Sequence, residues 1–337
     1  MTYVSRPLYG IDSGGSTTSI RAWSGEHWMA PSVNPSSMGK SASSSSIRTV
    51  FNRIHQHAQG LSLRPAVWLA SASLDPAAPG REVARLAAAA RSAGLRGDLV
   101  ISNDITPLVL DAPAGAGHVV AVCGTGSGFA ATDGISPPCR IGGCEYLASD
   151  EGSAFDLGLR GLRAAVRALD GRGTGTALTA LFAEQTGTGV PALARELAQT
   201  SFPKAPVAAL APLVVRAWQE GDGVAADVVG GAIDELVLGV SAARKAAGLQ
   251  PGWRLSATGG VMTGSPEFFR CFAAAAARLG AGTVRLLVDP ATAILAAITQ
   301  FTADGPLVLT DRRVGDSVWH IDLTVDKEPR ELQRISR

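Results

Sequence analysis

The sequence predicts an α/β fold with two related lobes, because two glycine-rich turns each follow a strand-like apolar run. The first turn is part of LYGIDSGGSTTSIR, which begins at Leu8, and the second is part of VVAVCGTGSGF, which begins at Val119. Glycine lets the backbone approach a phosphate closely, and the N–H groups and hydroxyls of such a turn then point at the anion. A single turn of this kind is more often a plain hairpin. The pair predicts a nucleotide held between two lobes.

Strands and helices are expected to alternate along the chain. Short apolar runs bounded by Gly, Pro, Asn or Asp predict strands at 8–11, 19–23, 66–70, 99–102, 119–123, 128–131, 254–257 and 284–288. Cap residues and first-turn prolines predict helices at 81–92 and 267–279, and apolar residues at helical spacing predict a helix at 228–247. This alternation is typical of an α/β protein.

Composition excludes several classes of function. The 337 residues are 46% hydrophobic and 18% charged, which indicates an ordered globular protein large enough for two cores. A net charge of +1 leaves no basic surface for nucleic acid or an anionic membrane. No apolar stretch reaches the roughly 18 residues of a membrane span. No secretory signal precedes the first predicted strand, so we expect a cytoplasmic protein.

The cysteines agree with a reducing compartment. Cys123, Cys139, Cys144 and Cys271 have neither CxxC spacing nor a dense framework. No histidine falls in a metal-ligand pattern. We therefore expect no metal site built from Cys or His.

The polar residues of the two turns predict ATP and magnesium binding. Asp12 ends the first strand, where its carboxylate can hold Mg2+ directly or through water, since magnesium favours carboxylate oxygens and keeps its waters. The other candidate phosphate contacts are small residues of the same two turns: Gly14, Gly15, Ser16, Thr17, Gly124, Thr125, Gly126 and Ser127. A further turn, Gly259-Gly260, follows a predicted strand and suits close approach to adenosine.

Two acidic segments are candidates for handling the acceptor substrate. Asp104 ends an apolar strand, where a carboxylate can accept the proton of an attacking hydroxyl. It could equally cap the next helix. Asp150 and Glu151 precede a predicted helix at 154–168, and the positive end of the helix dipole explains them without function. Alternatively, they accept hydrogen bonds from sugar hydroxyls.

Together these segments resemble a known family. The order DSGGSTT, VNPSSMG, SND, CGTGSG, IGGCEYLASDEGS and TGGV is similar to the N-acetylglucosamine kinase branch of the BadF/BadG/BcrA/BcrD ATPase family, within the actin, hexokinase and heat-shock ATPase superfamily. The resemblance covers residues 8–300. It implies two ribonuclease-H-like (actin-like ATPase) lobes with a nucleotide and sugar cleft between them. The expected N-terminal lobe is 1–116 plus 289–303, the C-terminal lobe with a helical insert is 117–288, and the tail 304–337 has no assigned role.

The resemblance also implies roles for single residues. Asp12 matches the phosphate-loop aspartate associated with Mg2+, and Asp104 matches the catalytic base. Asn34 and Asp150 match sugar-binding residues, with Glu151 beside them. Family members are often dimers, so we expect a homodimer acting on a small-molecule sugar.

One departure from the family pattern lies near the expected sugar pocket. The family usually has Gly-Trp-Gly followed by Leu-Gly-Asp-Glu-Gly, whereas this chain has Gly-Cys-Glu ending at Glu145 and then Ala-Ser-Asp ending at Asp150. Glu145 could favour a substrate that bears a free amine, such as glucosamine or an aminocyclitol, through a charge-assisted hydrogen bond. Alternatively, it faces solvent.

The sequence therefore predicts ATP-dependent phosphorylation of an amino sugar of the N-acetylglucosamine or glucosamine class, or of a specialised sugar or aminocyclitol. An alternative is an ATPase that activates an iron–sulfur reductase or dehydratase, which needs cysteine thiolates from each subunit. Cys123 is near a suitable loop, but no partner cysteine follows at a convincing position. A catalytically silent sugar sensor would be expected to lack Asp12 or Asp104, and both are present.

Overall fold

The computed structural model describes residues 6–61, 63–74, 79–111, 115–302 and 318–325, and these form two compact units. The first unit comprises the described parts of Met1–His118, Thr132–Pro138 and Asp289–Arg337. The second comprises Val119–Ala131 and Cys139–Val288. Each unit has a mixed sheet and a hydrophobic core of its own.

The first unit is built on a six-stranded sheet. Its strands are β1 (Leu8–Ser13), β2 (Thr17–Ala22), β3 (His27–Pro31), β4 (Ala66–Ser71), β5 (Asp98–Ser102) and β11 (Val318–Asp322). Its helices are α1 (Pro35–Met38), α2 (Lys40–Ala58), α3 (Gly80–Ser92), α4 (Thr106–Leu110) and α13 (Pro290–Thr302). The sheet order is β11-β5-β4-β1-β2-β3, with β1, β4 and β5 parallel and β2, β3 and β11 antiparallel to their neighbours.

The second unit carries a five-stranded sheet and the helical insert. Its strands are β6 (His118–Cys123), β7 (Ser127–Thr132), β8 (Cys139–Gly142), β9 (Arg254–Thr258) and β10 (Thr283–Leu286). Its helices are α5 (Ala154–Leu169), α6 (Leu178–Thr186), α7 (Val190–Gln199), α8 (Lys204–Ala208), α9 (Ala211–Gln219), α10 (Gly223–Ala246), α11 (Gly260–Gly264) and α12 (Pro266–Ala277). The sheet order is β10-β9-β6-β7-β8.

The two sheets share one topology. The order β3-β2-β1-β4-β5 in the first unit corresponds strand for strand to β8-β7-β6-β9-β10 in the second, and β11 extends the first sheet at one edge. Each glycine-rich turn therefore joins the two strands of its sheet that come first in the chain, β1 to β2 and β6 to β7. The two related lobes that the paired turns predict are confirmed at the level of strand order.

Helix α13 belongs to the first unit although it follows the second in the chain. It packs closely against β1: a Cβ added to Gly10 would lie 2.5 Å from both the carbonyl oxygen of Ala291 and the backbone nitrogen of Leu295. Only glycine at position 10 permits this approach. Helix α13 thus packs on the first sheet of the structure.

Three strands were not predicted. β3 and β8 are exposed edge strands, and none of their side chains is fully buried. β11 lies in the tail of unassigned role and pairs antiparallel with β5 through the register Trp319↔Ile101. His320 Nε2 lies 2.5 Å from an Asp98 carboxylate oxygen, and Arg6 Nη2 lies 2.6 Å from the other. Residues 318–322 are thus an integral strand of the first sheet.

Candidate functional site

The first turn (residues 12–17) joins β1 to β2 and is closed by its own backbone. The Gly14 N–H donates to the carbonyl of Thr17 at 3.0 Å, and the Ser32 hydroxyl donates to the carbonyl of Gly14 at 2.7 Å. Ser16 and Thr17 are exposed at the tip, whereas Gly14 and Gly15 are half-buried. The turn thus presents two hydroxyl-bearing residues to solvent on a fixed backbone.

Asp12 stands at the base of this turn within a cluster of carboxylates. Burial and, after it, the negative charges of Asp104 and Asp289 together raise the pKa of Asp12 to about 8. Asp289 immediately precedes α13 and forms an ion pair with Arg21 on β2. Burial alone would raise the pKa of Asp289, but hydrogen bonds from Arg21 and Thr292 outweigh it and lower this pKa.

This cluster brings together residues that are far apart in the chain. Asp12 and Asp104 were both predicted as site residues, and the structure places them within electrostatic reach of each other. Asp289 and Arg21 were missed, because the sequence has no local signal that α13 begins beside β2. A cation beside Asp12 would offset the burial and the negative neighbours that raise its pKa, and a hydrated Mg2+ is bound by few carboxylates and retains its waters. The donor chemistry of Asp12 therefore fits the ion that the family resemblance implies.

Asp104 follows β5 and is half-buried. The capping position of α4 is occupied by Ile105, and Asn103 Oδ1 accepts the N–H of Ile105 at 3.1 Å. Asn103 also donates to the carbonyl of Leu74 at 3.4 Å. The N-cap position of α4 thus belongs to Ile105 and not to Asp104. The side chain of its neighbour Asn103 forms both of these hydrogen bonds, and they fix the backbone on either side of Asp104.

Asn34 is buried at the start of α1. Its side-chain oxygen accepts the N–H of Ser36 at 2.9 Å and so caps this short helix, while its backbone N–H donates to the Ser32 hydroxyl at 3.0 Å. Ser32 in turn bonds to Gly14 of the first turn. The side chain of Ser32 therefore links the backbone of Asn34 to the first turn by two hydrogen bonds.

The second turn (residues 124–127) is hydrogen-bonded to the N-terminal end of helix α5. The N–H of Ala154 donates to the carbonyl of Gly124 at 2.9 Å, and the N–H of Phe155 donates to the carbonyl of Thr125 at 3.2 Å. Ser127 uses both of its donors internally, since its N–H bonds to Asp150 Oδ1 at 3.0 Å and its hydroxyl bonds to the carbonyl of Glu151 at 2.8 Å.

Asp150 is the buried anchor of the second turn. A Cβ added to Gly126 would lie 2.6 Å from Asp150 Oδ1, so the turn packs directly on this carboxylate. The other carboxylate oxygen lies 2.8 Å from the ammonium of Lys204 on α8. Lys204 also lies 3.3 Å from Glu145, whose side chain is 54% exposed. Glu151 is exposed. Sequence reasoning missed Lys204, because no motif marks it within the helical insert.

The predicted adenosine turn lies beside the second turn. Gly259 has φ +101°, and a Cβ at this position would lie 2.6 Å from the backbone nitrogen of Gly124. The Thr258 hydroxyl donates to the carbonyl of Leu287 at 2.8 Å, which ties the end of β9 to the segment after β10. Gly260 begins α11. The structure therefore brings residues 124–127 and 259–260 together in one unit.

The cysteines form no cluster in the part of the chain that the structure describes. There, no three His, Cys, Asp or Glu side chains are arranged to ligate one metal ion together, so any Mg2+ beside Asp12 would keep most of its waters. Burial raises the pKa of the Cys123 thiol, and its S–H contacts the carbonyl of Gly152 at 3.3 Å. A thiol in this environment is disfavoured as a thiolate ligand.

Fold and turns together define a two-lobed actin-like ATPase with ribonuclease-H-like sheets. Residues 9–269 match the BadF/BadG/BcrA/BcrD ATPase family, and the chain belongs to this family. Both the predicted fold class and the predicted family are confirmed. In the described residues, no helix is both long and apolar enough to cross a membrane.

Relatives and solved structures agree with this assignment. An N-acetylmuramic acid/N-acetylglucosamine kinase from Clostridium acetobutylicum is 24% identical over 242 residues, which are 70% of this chain and 78% of that protein. A protein from Chromobacterium violaceum, provisionally assigned as an N-acetylglucosamine kinase, superposes with a TM-score of 0.62 at 23% identity, covering 87% of this chain and 98% of that one. A similarly assigned protein from Porphyromonas gingivalis gives 0.68 at 17% identity, covering 88% and 99%. The two structures establish the fold.

Proposed function

We propose that the protein is a kinase that transfers the γ-phosphoryl group of ATP to a hydroxyl of an amino sugar of the N-acetylglucosamine or glucosamine class. The observation that carries this proposal is the proximity of Asp104 to Asp12 in the first unit: burial, and after it the charge of Asp104, raises the pKa of Asp12. Phosphoryl transfer needs a carboxylate that accepts the proton of the acceptor and a second one that holds the cation of the nucleotide. The curated relative, which acts on amino sugars by its name, supports the substrate class.

The proposed reaction assigns proton transfer to Asp104. The acceptor hydroxyl donates a hydrogen bond to this carboxylate, which takes the proton as the sugar oxygen attacks the γ-phosphorus. The bond from the γ-phosphorus to the bridging oxygen breaks, and ADP leaves. Backbone and hydroxyl donors of the two turns, other than the two donors that Ser127 uses internally, stabilise the phosphoryl oxygens, and Gly259 and Gly260 accommodate adenosine. When bound beside Asp12, Mg2+ supplies positive charge that offsets the charge of the phosphates.

Sugar recognition is assigned to Asn34, Asp150 and Glu151 together with Asp104. Asp150 already accepts the Ser127 N–H and pairs with Lys204. A carboxylate offers about four lone-pair sites, so it can still accept a sugar hydroxyl. Glu145 already has a cationic partner in Lys204, so a substrate amine would compete with Lys204 for this carboxylate. This pairing favours the neutral acetamido group over a free amine as the substituent.

The iron–sulfur activator is the weaker candidate. It requires a cysteine thiolate from each subunit, and the thiol of Cys123, which lies near a suitable loop, is buried with a raised pKa. We retain a specialised sugar or aminocyclitol as an alternative acceptor, because the pocket residue Glu145 departs from the family pattern. A homodimer in the cytoplasm remains our expectation, and light scattering after gel filtration measures the oligomeric state.

An ADP-release assay tests the proposal. The panel comprises N-acetylglucosamine, glucosamine, N-acetylmuramic acid, N-acetylmannosamine, glucose and aminocyclitols. We expect ADP release above the sugar-free rate with an amino sugar, strongest with N-acetylglucosamine. Strong activity with an aminocyclitol alone would favour the alternative acceptor. ATP binding without sugar-stimulated turnover would contradict the kinase assignment.

A further inference from the structure

A buried lysine of the helical insert contacts the loop that carries the second turn. Lys204 is 9% exposed, and its ammonium lies 2.8 Å from Asp150 and 3.3 Å from Glu145. Burial lowers the pKa of Lys204, but the hydrogen bonds and charges of these two carboxylates outweigh it and leave this pKa above its ordinary value. The ammonium is therefore charged and satisfied by two carboxylates.

Both carboxylate residues have a strained backbone. Among the residues that the structure describes, Glu145 (φ +67°) and Asp150 (φ +71°) are the two non-glycine residues with positive φ. This backbone region is unfavourable for a residue with a Cβ and persists only where surrounding contacts impose it. Lys204 contacts both strained residues at once. Its two ion pairs therefore hold the ends of the 145–150 segment in this conformation.

We propose that Lys204 is a positioning residue for nucleotide binding, which acts through Asp150 to hold the second turn ready for phosphate. Asp150 Oδ1 accepts the Ser127 N–H at 3.0 Å and lies against Gly126. Because Lys204 holds the other carboxylate oxygen of Asp150, Asp150 Oδ1 stays in position to accept the Ser127 N–H. The second turn therefore does not need to become ordered when the nucleotide binds. Preorganisation of this kind raises affinity by lowering the conformational cost of binding. The inference rests on the ATP use of the proposed function and not on its sugar substrate.

The test compares nucleotide affinities of folded variants by titration calorimetry with AMP-PNP and with adenosine. Lys204→Met keeps the length of the side chain and removes its charge. We expect this variant to bind AMP-PNP roughly tenfold more weakly, the scale of one charge-assisted hydrogen bond, with adenosine affinity unchanged. Lys204→Arg is expected to restore most of the AMP-PNP affinity. Lys245→Met, at an exposed lysine of the same unit, is the matched control and is expected to match the parent.

A second variant keeps the test valid if Lys204→Met does not fold, because removing one partner leaves a buried carboxylate unpaired. The double variant Asp150→Asn with Lys204→Met removes both charges, and we expect the same selective loss for AMP-PNP. Parent-like affinity for AMP-PNP in either folded variant would overturn the inference. An equal loss for AMP-PNP and adenosine would also overturn it, since that pattern indicates a general structural role. A parent protein that binds AMP-PNP but phosphorylates no sugar would refute the kinase proposal alone.

Discussion

Gly259 lies against the backbone of Cys123, at the exit of β6: a Cβ on Gly259 would be 2.4 Å from the carbonyl carbon of Cys123. Its φ of +101° and ψ of 159° also belong to a backbone region that is nearly exclusive to glycine. Two independent constraints therefore require glycine where the predicted adenosine turn meets the second turn.

Substitution of this glycine tests the contact. We expect Gly259→Ala to lower the free energy of unfolding by roughly 1–3 kcal/mol from backbone strain alone and to weaken adenosine binding. Thermal unfolding and titration calorimetry provide the measurements. Gly264→Ala, in α11 with open space around its Cα, is the matched control and is expected to unfold like the parent. A Gly259→Ala variant as stable as that control would refute the close approach.

Removal of the proposed base is expected to separate chemistry from binding. Asp104→Asn should reduce turnover by roughly 10²–10⁴-fold, the usual contribution of a general base, while ATP affinity stays near that of the parent. Steady-state kinetics and calorimetry measure the two quantities. Asp227→Asn, at an exposed aspartate of α10, is the control and is expected to retain parent turnover. Turnover of Asp104→Asn within a few-fold of the parent would exclude Asp104 as the base.

The Mg2+ concentration that the kinase reaction requires is expected to depend on Asp12. Asp12→Asn keeps the size of the side chain and removes the ionisable carboxyl group, whose raised pKa of about 8 a bound cation would lower. We expect the variant to need a much higher Mg2+ concentration for half-maximal turnover, because magnesium prefers carboxylate oxygens. A magnesium titration of the kinase rate measures this concentration. An unchanged titration would remove Asp12 from the metal role.

The attachment of β11 is expected to depend on pH. Burial raises the pKa of Asp98, but hydrogen bonds from His320 and Arg6 outweigh it, so the folded pKa lies below its usual value. The stabilisation is therefore present above the unfolded pKa of about 4 and is lost as pH falls through the lower folded pKa.

We expect Asp98→Asn to be less stable than the parent by roughly 1–3 kcal/mol at pH 7, the scale of hydrogen bonds to a charged group. The difference should shrink as the pH falls below about 4. Chemical denaturation of the parent and the variant at pH 7 and at a pH below about 4 provides the measurement. A stability difference that is the same at both pH values would show that charge on Asp98 does not hold β11.

Local signals in the sequence predicted the two turns, the strands that precede them and the best-capped helices. Helix α12 begins at Pro266 after the Ser265 cap, one residue from the predicted start, because its capping residues are adjacent in the chain. Asp12 and Asp104 were each predicted as site residues, Asp104 mainly through the family resemblance, whereas their proximity depends on the position of β1, β4 and β5 in one sheet.

Contacts between distant segments had no such signal. Strand β11 is stabilised by pairing with β5, and Lys204 meets Glu145 from 59 residues further along the chain. Neither contact changes the local pattern of hydrophobic or turn residues. Asp150 illustrates the consequence: its position before α5 suggested a sugar ligand or a helix-end charge, whereas its contacts with Ser127 and Lys204 depend on tertiary packing.

The kinase assignment is tested most directly by the stoichiometry of the products. The protein is incubated with ATP, Mg2+ and N-acetylglucosamine or glucosamine, and phosphorus NMR with mass spectrometry follows ADP, inorganic phosphate and sugar phosphate. We predict that one sugar phosphate forms for each ADP, with little inorganic phosphate. ADP that appears with an equal amount of inorganic phosphate, and no sugar phosphate with any sugar of the panel, would contradict the assignment.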